Sequence, residues 1–207
     1  MPTEPKIKRT FAFFDGQNVF NAAKEAFDYD WPSFDPMKLA AAVCRTQGWE
    51  LARVHFYTGL PESTDKRRSF WNKKLQVMGT RGVVTFTRPL RYREKTLVLK
   101  DGSSTVERIG TEKGIDVRLA LDVIRFALDG SYDVALIFSQ DQDLSEAVDE
   151  LKRISQQIGR WIMAASAFPV SPTTTNKRGI RGSKHIQINK SLYDSCLDPN
   201  DYRGPLA

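Results

Sequence analysis

Residues that build many catalytic and metal centres are scarce in this chain. Among 207 residues there are two cysteines and two histidines. Cys44 and Cys196 are far apart, form no CxxC pair and share no spacing with a histidine. That excludes a disulfide framework and a Cys/His zinc site. His55 and His185 are equally isolated, which leaves little from which to build a Ser-His-Asp arrangement. Two lone thiols fit a reducing compartment. No segment reaches the ~18 continuous apolar residues of a membrane span. The apolar run 11–14 is cut by Asp15 before a signal-like core could form. These absences predict a cytoplasmic chain that does not span a membrane.

The residues that are present support one sizeable core, since 41% are apolar. Lysine and arginine number 31 against 25 acids, for a net charge of +6. With a pI near 9.3, the surface favours polyanionic partners.

Strand-like and helix-like segments alternate along the chain. Strands are predicted at 11–15, 51–57, 83–87, 134–138 and 160–165. The first and fourth are apolar on both faces, as central parallel strands are. Helices are predicted at 18–27, 36–46, 63–78, 114–128 and 144–158, with Gly48, Gly79 and Gly130 as stops. Segments 95–100 and 105–108 around Asp101-Gly102 read as a hairpin inserted at about 93–110. The pattern predicts an α/β fold with a mostly parallel five-stranded sheet between helices. Residues 1–170 form the predicted domain. Residues 171–207 read as a basic, glycine-punctuated loop and a C-terminal extension docking on the core.

Four aspartates stand where such a sheet builds its site. Asp15 closes Phe11–Phe14; Asp141 and Asp143 follow Val134–Phe138 in the phrase Ser139-Gln140-Asp141-Gln142-Asp143; Asp116 ends Lys113-Gly-Ile-Asp. Asp141 and Asp143, extended, would lie roughly 6–7 Å apart on one side, at a rise of ~3.3 Å per residue. Carboxylates gathered in this way need a cation, and Mg²⁺ or Mn²⁺ held by them can activate water for phosphodiester hydrolysis. Local structure offers competing roles. Asp143-Leu-Ser-Glu146 fits a capping box with Asp143 as N-cap. Asn18 suits an N-cap, and Asp116 suits the positive end of its helix. Glu112 reads either as a further acid of the site or as a solvated loop residue. Asp122 can pair with Arg118 or Arg125 at helical spacing and reads as structural.

Basic and aromatic residues are interleaved at Lys66-Arg67-Arg68, Trp71 and Lys73-Lys74, although Trp71 reads as core. Better candidates for RNA contact are Arg91 and Arg93, and the loop bearing Lys177, Arg178, Arg181 and Lys184.

Three motifs carry a resemblance. Phe13-Phe14-Asp15-Gly16-Gln17-Asn18, then Lys113–Val117 with Leu119, Leu121 and Asp122, then Tyr132–Asp143 are similar to NYN domains, the PIN-like nucleases, over about 10–165. The resemblance implies a three-layer PIN-like sandwich and an endonucleolytic, Mg²⁺- or Mn²⁺-dependent ribonuclease acting on RNA. It implies that Asp15, Asp116, Asp141 and Asp143 hold metal, that Asn18 orients a ligand and that Ser139 supports the loop. A homodimer is compatible with it. In many members glycines flank the penultimate acid; here Gln140 and Gln142 stand there, and Leu144 replaces a common Phe. The alternative is a non-catalytic RNA-binding or regulatory module with a vestigial pocket. A phosphoryl-transfer reading with Asp15 as nucleophile wants a second acid two residues on, and position 17 is Gln.

Overall fold

The computed structural model describes residues 2–98 and 104–203. Its main sheet holds β1 (Arg9–Asp15), β2 (Glu50–Leu60), β3 (Val83–Pro89), β6 (Val134–Phe138), β7 (Met163–Pro169) and β8 (Lys184–Ile188) in the order β3-β2-β1-β6-β7-β8. Every pairing in it is parallel. Between β3 and β6, β4 (Arg91–Val98) and β5 (Ser104–Thr111) form a separate antiparallel pair. The hairpin is therefore longer than the sequence predicts, and its Asp101-Gly102 turn lies outside the described residues.

The sheet has six strands rather than the predicted five. In β8, Ile186 and Ile188 are buried while Lys184 and Gln187 are exposed. This short edge strand pairs with β7 from Ala165 opposite Lys184 to Pro169 opposite Ile188. Strand β7 also begins later than the expected residue 160. Arg160 belongs to the turn that ends the preceding helix: its N–H donates to Ser155 O and its guanidinium donates to Tyr132 O.

The central strands are uniformly apolar because helices cover both faces. Phe14, Phe56 and Phe138 point to the layer of α1 (Gly16–Phe27) and α2 (Pro36–Gln47). Phe14 and Phe138 stack at 3.9 Å across the register pair that joins them. Phe11, Phe13 and Tyr57 point to α4 (Ile115–Leu128) and α5 (Ser145–Gln157). Each such ring contributes ~1.5–3 kcal/mol when fully buried. The central strands are thus fixed more firmly than the edges.

Helix α3 (Lys66–Thr80) has its apolar side on Phe70 and Met78, which are buried. Lys74 lies on the same stripe and is fully buried, contrary to its reading as part of a basic face. Its ammonium donates to Phe34 O at 2.9 Å and lies 3.6 Å from Asp198. Arg81 bridges Asp35 at 2.7 Å and Asp198 at 3.1 Å. These charges tie α2, α3 and the C-terminal segment together. Burial pulls the Lys74 amine down to about 8. Asp122 is likewise satisfied structurally, by Arg118 at 2.9 Å, Arg125 at 3.2 Å and the Tyr57 hydroxyl at 3.0 Å.

Candidate active site

The carboxyl ends of β1 and β6 open onto one cavity of about 230 Å³, lined by Asp15, Asn18, Glu112, Asp116 and Asp141 together with Gln17 and Asn21. Asp15 is the last residue of β1 and the N-cap of α1, where its Oδ1 accepts from the Asn18 N–H at 3.1 Å. Asp15, not Asn18, is therefore the cap. The chain can turn this sharply because residue 16 is glycine: a Cβ there would lie 2.9 Å from Tyr57 O and 2.7 Å from the Phe56 ring. Asp116 sits in the first turn of α4, after Gly114 has taken the left-handed conformation at φ 74°. Glu112 lies in the short connection from β5 to α4.

Hydrogen bonds join the first and last of these segments. The Ser139 hydroxyl donates to Asp15 Oδ2 at 3.2 Å and accepts from the Asp141 N–H at 3.1 Å. The Asn18 Oδ1 accepts from the Gln140 N–H at 2.9 Å. Ser166 donates to Ser139 O at 2.6 Å and anchors the loop on β7. After β6 the chain enters a 3₁₀ turn at Gln142–Leu144, capped by Asp141, whose Oδ1 accepts from the Asp143 N–H at 3.0 Å. The expected capping box is not formed: α5 starts at Ser145 without a side-chain cap. Asp143 is exposed and is not among the cavity-lining residues.

The cavity is electrostatically crowded. Burial is the main cause of the rise of the Asp15 carboxyl to about 6. The Asn18 and Ser139 hydrogen bonds pull it down, and Asp141 and Asp116 push it further up. Burial and then Asp15 lift Glu112 to about 7, against the Gly59 backbone, which pulls it down. The Glu112 Oε2 is buried without a hydrogen-bond partner among the described residues. An uncompensated buried carboxylate oxygen beside three other acids fits a hard cation. No three His, Cys, Asp or Glu side chains among the described residues converge into a ready-made cage. An ion here would take few protein oxygens and keep several waters, as Mg²⁺ does.

The predicted RNA contacts are dispersed. Arg91 and Arg93 are exposed on β4, opposite Thr111 and Ile109. Lys184 starts β8 with its ammonium 5.2 Å over the Trp49 ring, next to the start of β2 and away from the acidic edge. Lys177 donates to Pro172 O, and Arg181 lies 3.5 Å from Asp149. Arg178 is held by its backbone beside the loop Ser139–Asp143. The Gln140 side-chain amide donates to Asn176 O at 3.0 Å and Arg178 O at 2.9 Å. The Gln142 amide donates to Gly179 O at 3.1 Å, and its Oε1 accepts from the Arg181 N–H at 3.1 Å. The two glutamines at the unusual positions thus clamp the basic segment 176–181 against the turn that carries Asp141. Their length was the only signal for this role in the sequence.

The sequence profile of the NYN domain family matches residues 9–173. No curated protein matches by sequence. Among solved structures, the chain is similar to a protein of unknown function from Vibrio parahaemolyticus, with 22% identity, a TM-score of 0.52, and coverage of 88% of this chain and 94% of that one. That likeness concerns the fold. Ribokinase from Giardia lamblia overlaps 59% of this chain and 36% of its own at 12% identity, with a TM-score of 0.32. MurG from Acinetobacter baumannii overlaps 87% of this chain and 45% of its own at 8% identity, with a TM-score of 0.34. Overlaps of that quality carry no argument.

Proposed function

We propose, from the premise that this chain belongs to the NYN domain family of the PIN-like nuclease superfamily, that it is a divalent-metal-dependent ribonuclease cutting RNA internally. One observation carries the reading: Asp15, Glu112, Asp116 and Asp141 line a single cavity at the carboxyl edge of a parallel sheet. Among the described residues nothing cationic lines that cavity, so its negative charge calls for an ion.

Asp15, Asp116 and Asp141 are proposed to hold Mg²⁺ or Mn²⁺; Asp143, exposed on the adjoining turn, is the more distant candidate. The ion, when bound, supplies charge neutralisation at the phosphate and an acidified water. Without an ion, the Glu112 carboxyl is suited to hold a proton near neutrality, because it rises to about 7. Ser139 fixes the Asp15 carboxylate, and Asn18 fixes the Gln140 amide, so the two acid-bearing segments keep one spacing. Lys177, Arg178 and Arg181 on the clamped segment, and Arg91 and Arg93 on the hairpin, supply phosphate contacts. Lys184 is the weakest member of that set.

The test is incubation of the purified chain with single-stranded and structured RNA in Mn²⁺, Mg²⁺ or EDTA. Internal cleavage is expected in the metals, none in EDTA, and a loss of ~100-fold or more in Asp15→Asn and Asp141→Asn. Undiminished cleavage by both variants removes these residues from the mechanism. The lack of a ready-made three-ligand cage among the described residues favours one other reading, a non-catalytic RNA-binding module. Tight RNA binding without cleavage in any metal supports that alternative.

A further inference from the structure

Beside the acidic cavity lies a second one of about 280 Å³, close to the lower bound of ~300 Å³ usual for ligand sites. Gln17 lines both. Gly59 lines the second, and the Glu112 side chain of the first lies against it. A Cβ at residue 59 would lie 2.4 Å from the Leu90 side chain and 3.1 Å from Glu112 Oε2. The wall between the two cavities is therefore one backbone thick at this point.

The second cavity is aromatic. Trp31 packs on Phe70 with ring centroids 5.0 Å apart, and Phe70 meets Trp71 edge to face at 5.6 Å. Phe70 is buried, whereas Phe20, Trp31 and Trp71 are only partly covered. Ring surface therefore remains available in the cavity they line. Lys24 and Arg67 are exposed and line it too, together with one exposed acid, Asp30. Asp65 holds the Arg67 guanidinium in place at 2.6 Å. Ring faces with adjacent cations are what a stacked base and its phosphate require.

We propose that this aromatic cavity binds an unpaired nucleobase of the RNA strand whose backbone crosses the acidic cavity, stacking the base next to the bond to be cut. The proposal rests on the nuclease reading above and names its substrate class as unpaired RNA, because a base held in a duplex cannot enter. Trp31 is the principal platform: it stands in the loop between α1 and α2, outside any regular element.

The test measures the affinity of the full chain, in Ca²⁺, for a single-stranded RNA 12-mer and for the same RNA with one abasic site moved along it. In the unaltered chain one abasic position weakens binding ~5- to 150-fold, the range for a lost stack, and the others much less. Trp31→Ala weakens the intact RNA by a similar factor and becomes indifferent to that position; Trp31→Phe retains the preference. The scan on the unaltered chain stands even if Trp31→Ala fails to fold. A flat abasic profile, or an unchanged profile in a folded Trp31→Ala that still cleaves, overturns the stacking site and leaves the nuclease reading intact. No RNA binding by the unaltered chain overturns both.

Discussion

Replacing Asp15 by asparagine should make the metal-free protein more stable at alkaline pH while removing its activity. The unfolded carboxyl titrates near 3.8 and the folded one at about 6, chiefly because folding buries it. A raised carboxyl pKa means that the folded state binds the proton more tightly than the unfolded chain. Its favourable contribution is fully present below pH 3.8 and is lost as pH rises to about 6. At 1.36 kcal/mol per pH unit, the ionised Asp15 costs ~3 kcal/mol above that range. Asparagine removes the charge but also exchanges the carboxylate acceptor of the Ser139 hydroxyl for an amide. That loss is of order 1–2 kcal/mol for a bond to a charged group. The net gain is then ~1–2 kcal/mol at pH 8, or ~2–8 °C in melting temperature for a chain of this size; at pH 4, where the ionisation cost has shrunk to ~0.5 kcal/mol, the lost hydrogen bond leaves the variant ~1 kcal/mol less stable. Thermal melts of both proteins in EDTA at pH 4, 6 and 8 measure it. An Asp15→Asn protein that is less stable at pH 8, or a difference unchanged between pH 4 and 8, would refute the crowding of charge inferred for this cavity.

Other outcomes follow from particular contacts. Replacing Gln140 and Gln142 together by alanine removes the clamp on 176–181, which should speed tryptic cutting after Lys177 and Arg178 and weaken RNA binding; each lost bond is worth only ~0.5–1.5 kcal/mol, so the core melt should move little. Burial holds His55 down to about 4 from an ordinary 6.5, so its contribution is present above pH 6.5 and is lost as pH falls towards 4. His55→Phe, which keeps the stack on Phe13 at 5.4 Å, should flatten that part of the acid-unfolding curve. Lys74→Ala should cost ~3 kcal/mol or more in urea unfolding, because it leaves Phe34 O and Asp198 short of a buried partner.

The parts of this protein that the sequence disclosed are those where periodicity and position agree. The double-faced apolar runs of β1 and β6, each followed within three residues by an acid, announced both the parallel sheet and its acidic edge. Edge strand β8 was hidden because five residues with two inward isoleucines resemble a loop. Glu112 was ambiguous because its burial depends on a glycine more than 50 positions away: Gly59 leaves the space its carboxylate occupies. The fate of Lys74 was available in principle, since it falls four residues from both Phe70 and Met78 on one helix stripe. The capping box at Asp143 failed because Asp141 captured the turn first. Sequence spacing could not rank those two caps.

Everything proposed here depends on Asp15, Asp116 and Asp141, from three chain segments, sharing a divalent ion. Calorimetric titration of the purified chain with Mn²⁺ near pH 7, in two buffers of different ionisation enthalpy, tests it directly. Saturable binding with proton release from the raised carboxyls of Asp15 and Glu112 is expected, both abolished in an Asp15→Asn, Asp141→Asn double variant. Absence of saturable binding in the unaltered chain, or binding unchanged in the variant, would contradict it.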